Sequence, residues 1–77
     1  MALITDAATG WSSPVSLVSD EIWQTRKGSV FVTTTSAPDA DDGLALHEFH
    51  AVQFPAGSQV RYRKEGSGAA LIVHEAI

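Results

Sequence analysis

The clearest structural signal in this chain is Ser29-Val-Phe-Val-Thr-Thr-Thr35, a run dominated by β-branched side chains. Such side chains lose rotamer freedom in a helix and pack well on a pleated sheet. In a strand, Val30, Val32 and Thr34 face one way, whereas Phe31 faces the other way with the neighbouring threonines. The run therefore predicts a β-strand with apolar side chains on both of its faces.

The same period-two pattern extends outward from this run, and turn-forming residues interrupt it at short intervals. We expect further strands at residues 15–19, 44–49, 51–54, 59–65 and 70–76. Between them we expect a bend at 20–24, turns at 26–28 and 55–57, an acidic loop at 36–43 and a hairpin at 66–68. About six strands without a long helix predict an all-β fold, either a small antiparallel β-sandwich or a jelly-roll-like barrel.

Alternation within these segments also predicts which side chains enter the core. Leu44 and Leu46 are expected to point inward, as are Ile22 and Trp23 from the bend. In the strand at 59–65, alternate residues divide between an apolar face and a basic face.

The first 14 residues mix Ala, Thr, Ser and Gly with a few large apolar residues and end at Pro14. This composition predicts an extended N-terminal arm, residues 1–14, followed by a single β domain, residues 15–77. We expect the arm to lie over the chain's own core or, as the slightly favoured alternative, against a neighbouring subunit or scaffold.

The chain has 77 residues, a formal net charge of −4 and no cysteine. A domain of this size buries only about 60% of the surface that its unfolded chain exposes. Because disulfides are ruled out and no metal site is evident, oligomerisation is the remaining way to stabilise it. Apolar residues on both faces of several strands also favour an interface, since a small sandwich cannot bury both faces alone.

Charge and hydropathy argue against several classes of partner. An acidic chain lacks the positive face with which general nucleic-acid binders displace counterions. No apolar run approaches the roughly 20 residues that span a bilayer. The start, Met1-Ala-Leu-Ile-Thr-Asp6, has no basic segment like that of a signal peptide. We therefore expect no direct nucleic-acid partner, no membrane partner and synthesis in the cytoplasm.

No set of residues in the sequence indicates catalysis, a cofactor or a metal centre. His47 and His50 are three apart in a strand-like stretch, so we expect them on opposite faces, unlike helical zinc ligands. A metal site completed by His74 across strands is an alternative. Residues 39–42 supply aspartates that suit calcium, but we favour a solvated turn whose aspartates cap their own backbone.

The segment Phe54-Pro-Ala-Gly-Ser-Gln-Val-Arg-Tyr62 resembles the Pro-x-Gly turn of the second cupin motif, which joins two strands of a jelly roll. In cupins a histidine ligand follows the glycine after two residues, and here that position is Val60. The His-x-His of the first motif is also missing, since two residues separate His47 from His50. The resemblance implies a jelly-roll-like turn without cupin metal chemistry.

Interface contacts are predicted from the arm and from large aromatic side chains. They are also predicted from basic residues that suit electrostatic contact with an acidic protein surface, namely Arg61, Arg63 and Lys64, with Arg26 and Lys27. The predicted interface residues are Leu3, Ile4, Trp11, Trp23, Phe31, Arg61 and Arg63. Phe49 and Phe54 are further large side chains for the core or the interface.

A wider similarity in pattern extends over residues 20–75. It is carried by Trp23-Gln-Thr-Arg-Lys-Gly-Ser-Val-Phe-Val-Thr-Thr-Thr35, the Asp/Gly loop, Leu44-Ala-Leu46, Phe54-Pro-Ala-Gly57 and Val60-Arg-Tyr-Arg63. In this pattern the chain resembles small virion proteins of tailed bacteriophages and gene transfer agents. The resemblance implies a non-enzymatic virion subunit, a trimer or pentamer, that binds capsid, spike or fibre proteins. It would decorate the capsid or form the base of a head spike or fibre.

A second function, from another class, is a carbohydrate-binding or receptor-binding β module. It requires an exposed aromatic ring on a concave face, for which Trp11 and Tyr62 are the available side chains.

Overall fold

The computed structural model describes residues 2–77, and in that range every regular element is a β-strand. The strands are β1 (Ala2–Ile4), β2 (Val15–Ser16), β3 (Glu21–Lys27), β4 (Val30–Thr33), β5 (Leu44–Leu46), β6 (Ala51–Phe54), β7 (Gln59–Lys64) and β8 (Leu71–Ala76). They form two four-stranded antiparallel sheets, so the predicted small β-sandwich is confirmed. Residues 2–77 contain no helix of the length and apolarity that a membrane span requires.

The order of strands is β1-β8-β3-β6 in one sheet, called sheet A, and β2-β7-β4-β5 in the other, called sheet B. The pairs β1–β8, β2–β7, β3–β6 and β4–β5 are nested, as if one long hairpin had been rolled up. Eight strands connected in this way in two sheets have the topology of a jelly roll.

The strongly predicted strand β4 lies inside sheet B, between β7 and β5. Val30 and Val32 point inward and are almost completely buried, and Val60 and Tyr62 of β7 point inward beside them. The predicted division of β7 into an apolar and a basic face is therefore confirmed.

Trp23 is the largest side chain of the core and is completely buried. Its ring meets the Phe54 ring edge to face, with centroids 6.0 Å apart, and lies 6.4 Å from the Tyr62 ring. The buried Thr25 hydroxyl donates a hydrogen bond to the carbonyl oxygen of Leu46 at 3.3 Å, which satisfies a polar group that β3 brings into the core. The core cluster consists of Ile4, Leu17, Trp23, Val30, Val32, Leu46, Phe54, Val60, Tyr62 and Ile72.

The predicted bend at residues 20–24 is wrong, because Glu21–Lys27 forms β3, which lies between β8 and β6 in sheet A. Trp23 and Thr25 alternate inward with the more exposed Gln24 between them. The period-two pattern was therefore present, and the acidic pair Asp20-Glu21 opens the strand rather than a turn.

The hairpin predicted at residues 66–68 is also wrong, because β7 belongs to sheet B and β8 to sheet A. This segment carries the chain from one sheet to the other. Leu44 lies on the same inward side of the edge strand β5 as the buried Leu46 and pairs with the inward-pointing Val32, as predicted, although it is 52% exposed.

The segment predicted as an extended arm contains a strand. Its first described residues form β1, which pairs antiparallel with β8, and Ile4 is buried in the core. The chain then passes to sheet B, where the backbone N–H of Lys64 donates to Ala8 and the N–H of Ser12 donates to Tyr62. From residue 2 onward the segment thus lies against both of the chain's own sheets, and Met1 lies outside the described residues.

Candidate functional site

The outer face of sheet B is covered by the chain itself. The Arg63 guanidinium lies over the Phe31 ring, with its central carbon 4.2 Å from the centroid, and lies 5.1 Å from the Trp11 centroid. Arg63 also donates a hydrogen bond to the carbonyl oxygen of Ala40 in the acidic loop. Arg63 therefore joins strands β4 and β7 to the segments that fold over them.

The acidic loop at residues 36–43 completes this cover. The Trp11 indole N–H donates to the carbonyl oxygen of Asp39 at 2.9 Å. Asp39 N–H donates in turn to an Asp42 carboxylate oxygen at 2.8 Å, so the loop aspartates cap their own backbone as predicted. Gly43 permits this packing, since an added Cβ there would lie 2.9 Å from the Trp11 ring.

Four predicted interface residues thus meet on the outer face of sheet B. Trp11, Phe31 and Arg63 form the stack, and Arg61 donates to the carbonyl oxygen of Ser12 at 3.1 Å. All four are half-buried by contacts within the chain.

Two other predicted interface residues need correction. Trp23 is completely buried and Ile4 is buried, because both side chains point between the sheets. Neither offers a surface to a partner in this fold. Leu3 points the opposite way to Ile4 along β1 and is exposed on the outer face of sheet A.

The outer face of sheet A, which we call the open face, presents apolar side chains to solvent. A cavity of about 490 Å³ lies on it, lined by Leu3, Arg26, Lys27, Glu48, Phe49, Leu71 and Val73. A second, of about 150 Å³, continues along the face beside Val73 and is lined also by Ile22, Gln24, Arg26, Ala51 and Glu75. The open face is therefore an apolar surface with charged residues at its rim, the composition typical of a protein contact surface.

Phe49 is the most unusual residue of this face. It is 64% exposed, and its backbone has a positive φ of 67°. L-residues with bulky side chains rarely adopt this left-handed conformation, which costs roughly 1–2 kcal/mol. Two hydrogen bonds hold it: the Phe49 N–H donates to the Thr25 carbonyl at 2.6 Å, and the Gln24 amide donates to the Phe49 carbonyl at 3.2 Å. The fold thus maintains a strained turn that projects an aromatic ring into solvent, which is typical of a functional residue.

From the sequence, Phe49 is predicted to lie in a strand and to be a large side chain of the core or the interface. The sequence also predicts that Arg26 and Lys27 are basic residues that suit contact with an acidic protein surface, and that Leu71 and Val73 form one apolar face of the last strand. The signal available was the out-of-phase apolar pattern of the last strand, where Leu71 and Val73 alternate with Ile72. That pattern predicts two apolar faces, and the structure assigns Ile72 to the core. Leu71 and Val73 line the cavity on the open face, where Val73 is only 7% exposed.

The three histidines that were candidate metal ligands do not converge on one site. Residues 47–50 form a turn instead of a strand, which brings the rings of His47 and His50 within 5.6 Å of each other. His74 instead hydrogen-bonds Glu21 at 2.8 Å in sheet A. Within residues 2–77 no three histidine or carboxylate side chains are grouped as a metal would require.

Polar side chains surround Trp23 where the two sheets meet. The Trp23 ring stacks on the His74 ring, with centroids 4.5 Å apart, and its N–H donates to the same Glu21 carboxylate oxygen that bonds His74. On the other sheet the Tyr62 hydroxyl donates to Asp6 at 2.8 Å. Burial raises the pKa of Tyr62 above 10.0, and the hydrogen bond to Asp6 and its negative charge raise it further.

A polar groove of about 350 Å³ lies at the edge of sheet B, lined by Thr34, Thr35, Ser36, Gly57, Ser58, Gln59 and Arg61. Its hydroxyl, amide and guanidinium groups can hydrogen-bond a polar ligand. The aromatic residues predicted as a possible sugar platform do not line this groove. Tyr62 is buried, and Trp11 stacks against Arg63.

Compared with known proteins, the chain matches no protein-family model, no curated protein and no solved structure.

Proposed function

We propose that this chain is a non-enzymatic structural subunit of a phage-type particle, which associates with copies of itself and with a capsid, spike or fibre protein. The observation that supports this proposal most is the open face, where a strained turn holds the Phe49 ring in solvent beside other apolar side chains. An exposed aromatic ring on a strained backbone is explained when a partner covers the ring, because burial of the ring in the contact offsets the strain.

The chemistry of the interior agrees with a structural role. Glu21 and His74 bond to each other and to Trp23, and Asp6 bonds to Tyr62. These pairs satisfy polar groups between the sheets and hold the first segment of the chain against the core. Each of them therefore has a function in the fold.

The topology adds support by analogy. Eight-stranded jelly rolls are common in viral capsid proteins, although the same fold also occurs in lectins and cupins. The chain itself covers the outer face of sheet B, whereas the outer face of sheet A is uncovered and is suited to contact with another protein.

The proposal is tested by the distribution of the chain between particles and solution. Particles released by cells that produce the protein are separated on a density gradient, and mass spectrometry quantifies the chain in each fraction. We expect it to sediment with the major capsid protein at a fixed ratio of many copies per particle. If the chain stays with the soluble proteins at the top of the gradient, the proposal is wrong.

Two variants make this experiment specific for the open face. Phe49→Gly removes the exposed ring and is expected to reduce the particle-bound fraction. Val18→Ser removes another apolar side chain, 94% exposed but outside the open face, and is expected to leave that fraction unchanged. Equal retention of both variants would mean that the open face has no part in assembly.

The carbohydrate-binding alternative is favoured by one observation, the polar groove of sheet B. A glycan array tests it with the wild type and with Thr35→Val, which removes a hydroxyl from the groove. Binding that Thr35→Val abolishes would favour this alternative over the structural proposal.

A further inference from the structure

The charged residues of the open face lie at opposite ends of sheet A. Glu21 pairs with Ala76 at one end of β3, and Lys27 pairs with Leu71 at the other. Asp20 and Glu75 therefore mark an acidic end of the face, and Arg26 and Lys27 mark a basic end. At the basic end, Glu48 is the one acidic residue among those that line the 490 Å³ cavity. Apolar side chains lie between the two ends.

We propose that the open face binds the open face of a second copy of this chain, related to the first by a two-fold axis. The axis lies in the plane of contact and crosses the strands at the level of Gln24 and Ala51, which are paired in the sheet. This inference rests on the proposed function, since it names the self-contact that a structural subunit uses.

The two-fold arrangement makes the charges complementary. Rotation about this axis reverses the strand direction, so the basic end of one copy faces the acidic end of the other. Arg26 and Lys27 then lie opposite Glu75, and the symmetry forms this contact twice. A parallel arrangement would instead place like charges together, which opposes association.

The same rotation gives the Phe49 ring a place to bind. Phe49 lies just before β6 at the basic end of the face. The acidic end carries a depression of about 250 Å³, lined by Asp20, Gln53, Phe54, Pro55 and Ile77, and Ile77 is largely exposed. In the pair, each Phe49 side chain reaches toward the depression of the other copy, which is the behaviour of an anchor residue.

The size of the molecule is sufficient for such a contact. It measures 31 × 25 × 17 Å, so one side can provide the roughly 800 Å² per partner that a standard specific interface buries. The resemblance to virion proteins implied a trimer or pentamer, whereas the charge pattern of this face favours a two-fold pair as the unit of assembly.

Charge-reversal variants test the pair by sedimentation equilibrium. Arg26→Glu with Lys27→Glu places acidic residues opposite Glu75, and Glu75→Lys places a lysine opposite Arg26 and Lys27. We expect either variant alone to raise the dissociation constant of the dimer by at least about a hundredfold. When the two variants are mixed, both contacts join opposite charges again, so we expect a heterodimer.

Glu65→Lys makes the same charge change as Glu75→Lys on an exposed residue after β7, outside the open face, and should leave the dimer intact. A triple variant that combines all three reversals in one chain should dimerise with itself. Circular dichroism checks that each variant keeps its β structure.

The outcomes separate this inference from the proposed function. Dimers of wild type and of the mixture, with monomers of each reversed variant alone, support the two-fold contact. A wild-type oligomer that the mixture fails to restore overturns the two-fold contact and leaves the structural role standing. A wild type that stays monomeric to millimolar concentration overturns the self-contact, while co-sedimentation with particles still tests the structural role on its own.

Discussion

Substitutions of Phe49 test most sharply whether the backbone strain at this residue is kept because its side chain contacts a partner. We consider two substitutions, Phe49→Gly and Phe49→Ala, which both remove the exposed ring. At ordinary backbone positions alanine is more stabilising than glycine by about 0.5–1 kcal/mol, because glycine loses more conformational freedom on folding. At the φ of 67° found here the order should reverse, since an L-residue pays roughly 1–2 kcal/mol that glycine does not pay.

Taken at the midpoints of their ranges, the two effects predict that Phe49→Gly is more stable than Phe49→Ala by about 0.75 kcal/mol. For a domain of this length such a difference corresponds to a melting temperature higher by roughly 2–8 °C. Urea denaturation followed by tryptophan fluorescence measures it, at a protein concentration low enough to keep every variant monomeric. If Phe49→Ala equals or exceeds Phe49→Gly in stability, the turn is not strained and the reasoning that assigns Phe49 a function fails.

Three other predictions concern the fold. The folded-state pKa of Tyr62 is raised above 10.0. The free energy of unfolding should therefore fall as pH rises above this value, because Tyr62 loses its proton at a lower pH in the unfolded chain than in the folded chain. A pH series of urea melts should show that Tyr62→Phe reduces this fall. Gly43→Ala should destabilise the chain by more than about 1 kcal/mol. The reason is that the backbone φ of Gly43 is 101° and the new Cβ would lie 2.9 Å from the carbonyl oxygen of Val32. An unchanged thermal melt would contradict the packing of the acidic loop. Trp23→Ala should cost roughly 3–5 kcal/mol, as expected for a large core residue, and a cooperative melt near that of the wild type would show that Trp23 is not central to the core.

Much of the fold could be predicted from local pattern. The strands at Val30–Thr33, Ala51–Phe54 and Gln59–Lys64 were predicted at nearly their observed positions, because period-two alternation and β-branched residues act locally. The turn at residues 55–57 was predicted for a similar reason. The errors arose where pairing partners decide the structure. A glycine pair at Gly66 and Gly68 is compatible with a hairpin and with a crossing between sheets, and only the nested pairing of distant strands selects the crossing.

The candidate site was less predictable, because its defining features are not local. The sequence predicted that apolar residues would exceed the capacity of the core, and Leu3, which was predicted as an interface residue, is 52% exposed. It could not show that Trp11 and Arg63 are used to cover sheet B, since this depends on a contact between segments far apart in the chain. The left-handed turn at Phe49 could not be predicted either, because bulky residues rarely adopt a positive φ and a sequence pattern therefore assigns them an extended backbone.

The most direct test of the self-contact is the distance between two copies. The chain has no cysteine, so single cysteines can carry spin labels for double electron–electron resonance. Ala51 is exposed and lies at the level of the proposed axis, whereas Ala45, also exposed, lies on sheet B and serves as the matched control. For Ala51→Cys we predict a short distance, set by the spacing of about 10 Å between packed sheets plus the label arms, and for Ala45→Cys a clearly longer one. An absence of dipolar coupling at Ala51→Cys, or a shorter distance at Ala45→Cys, would contradict the two-fold contact through the open face.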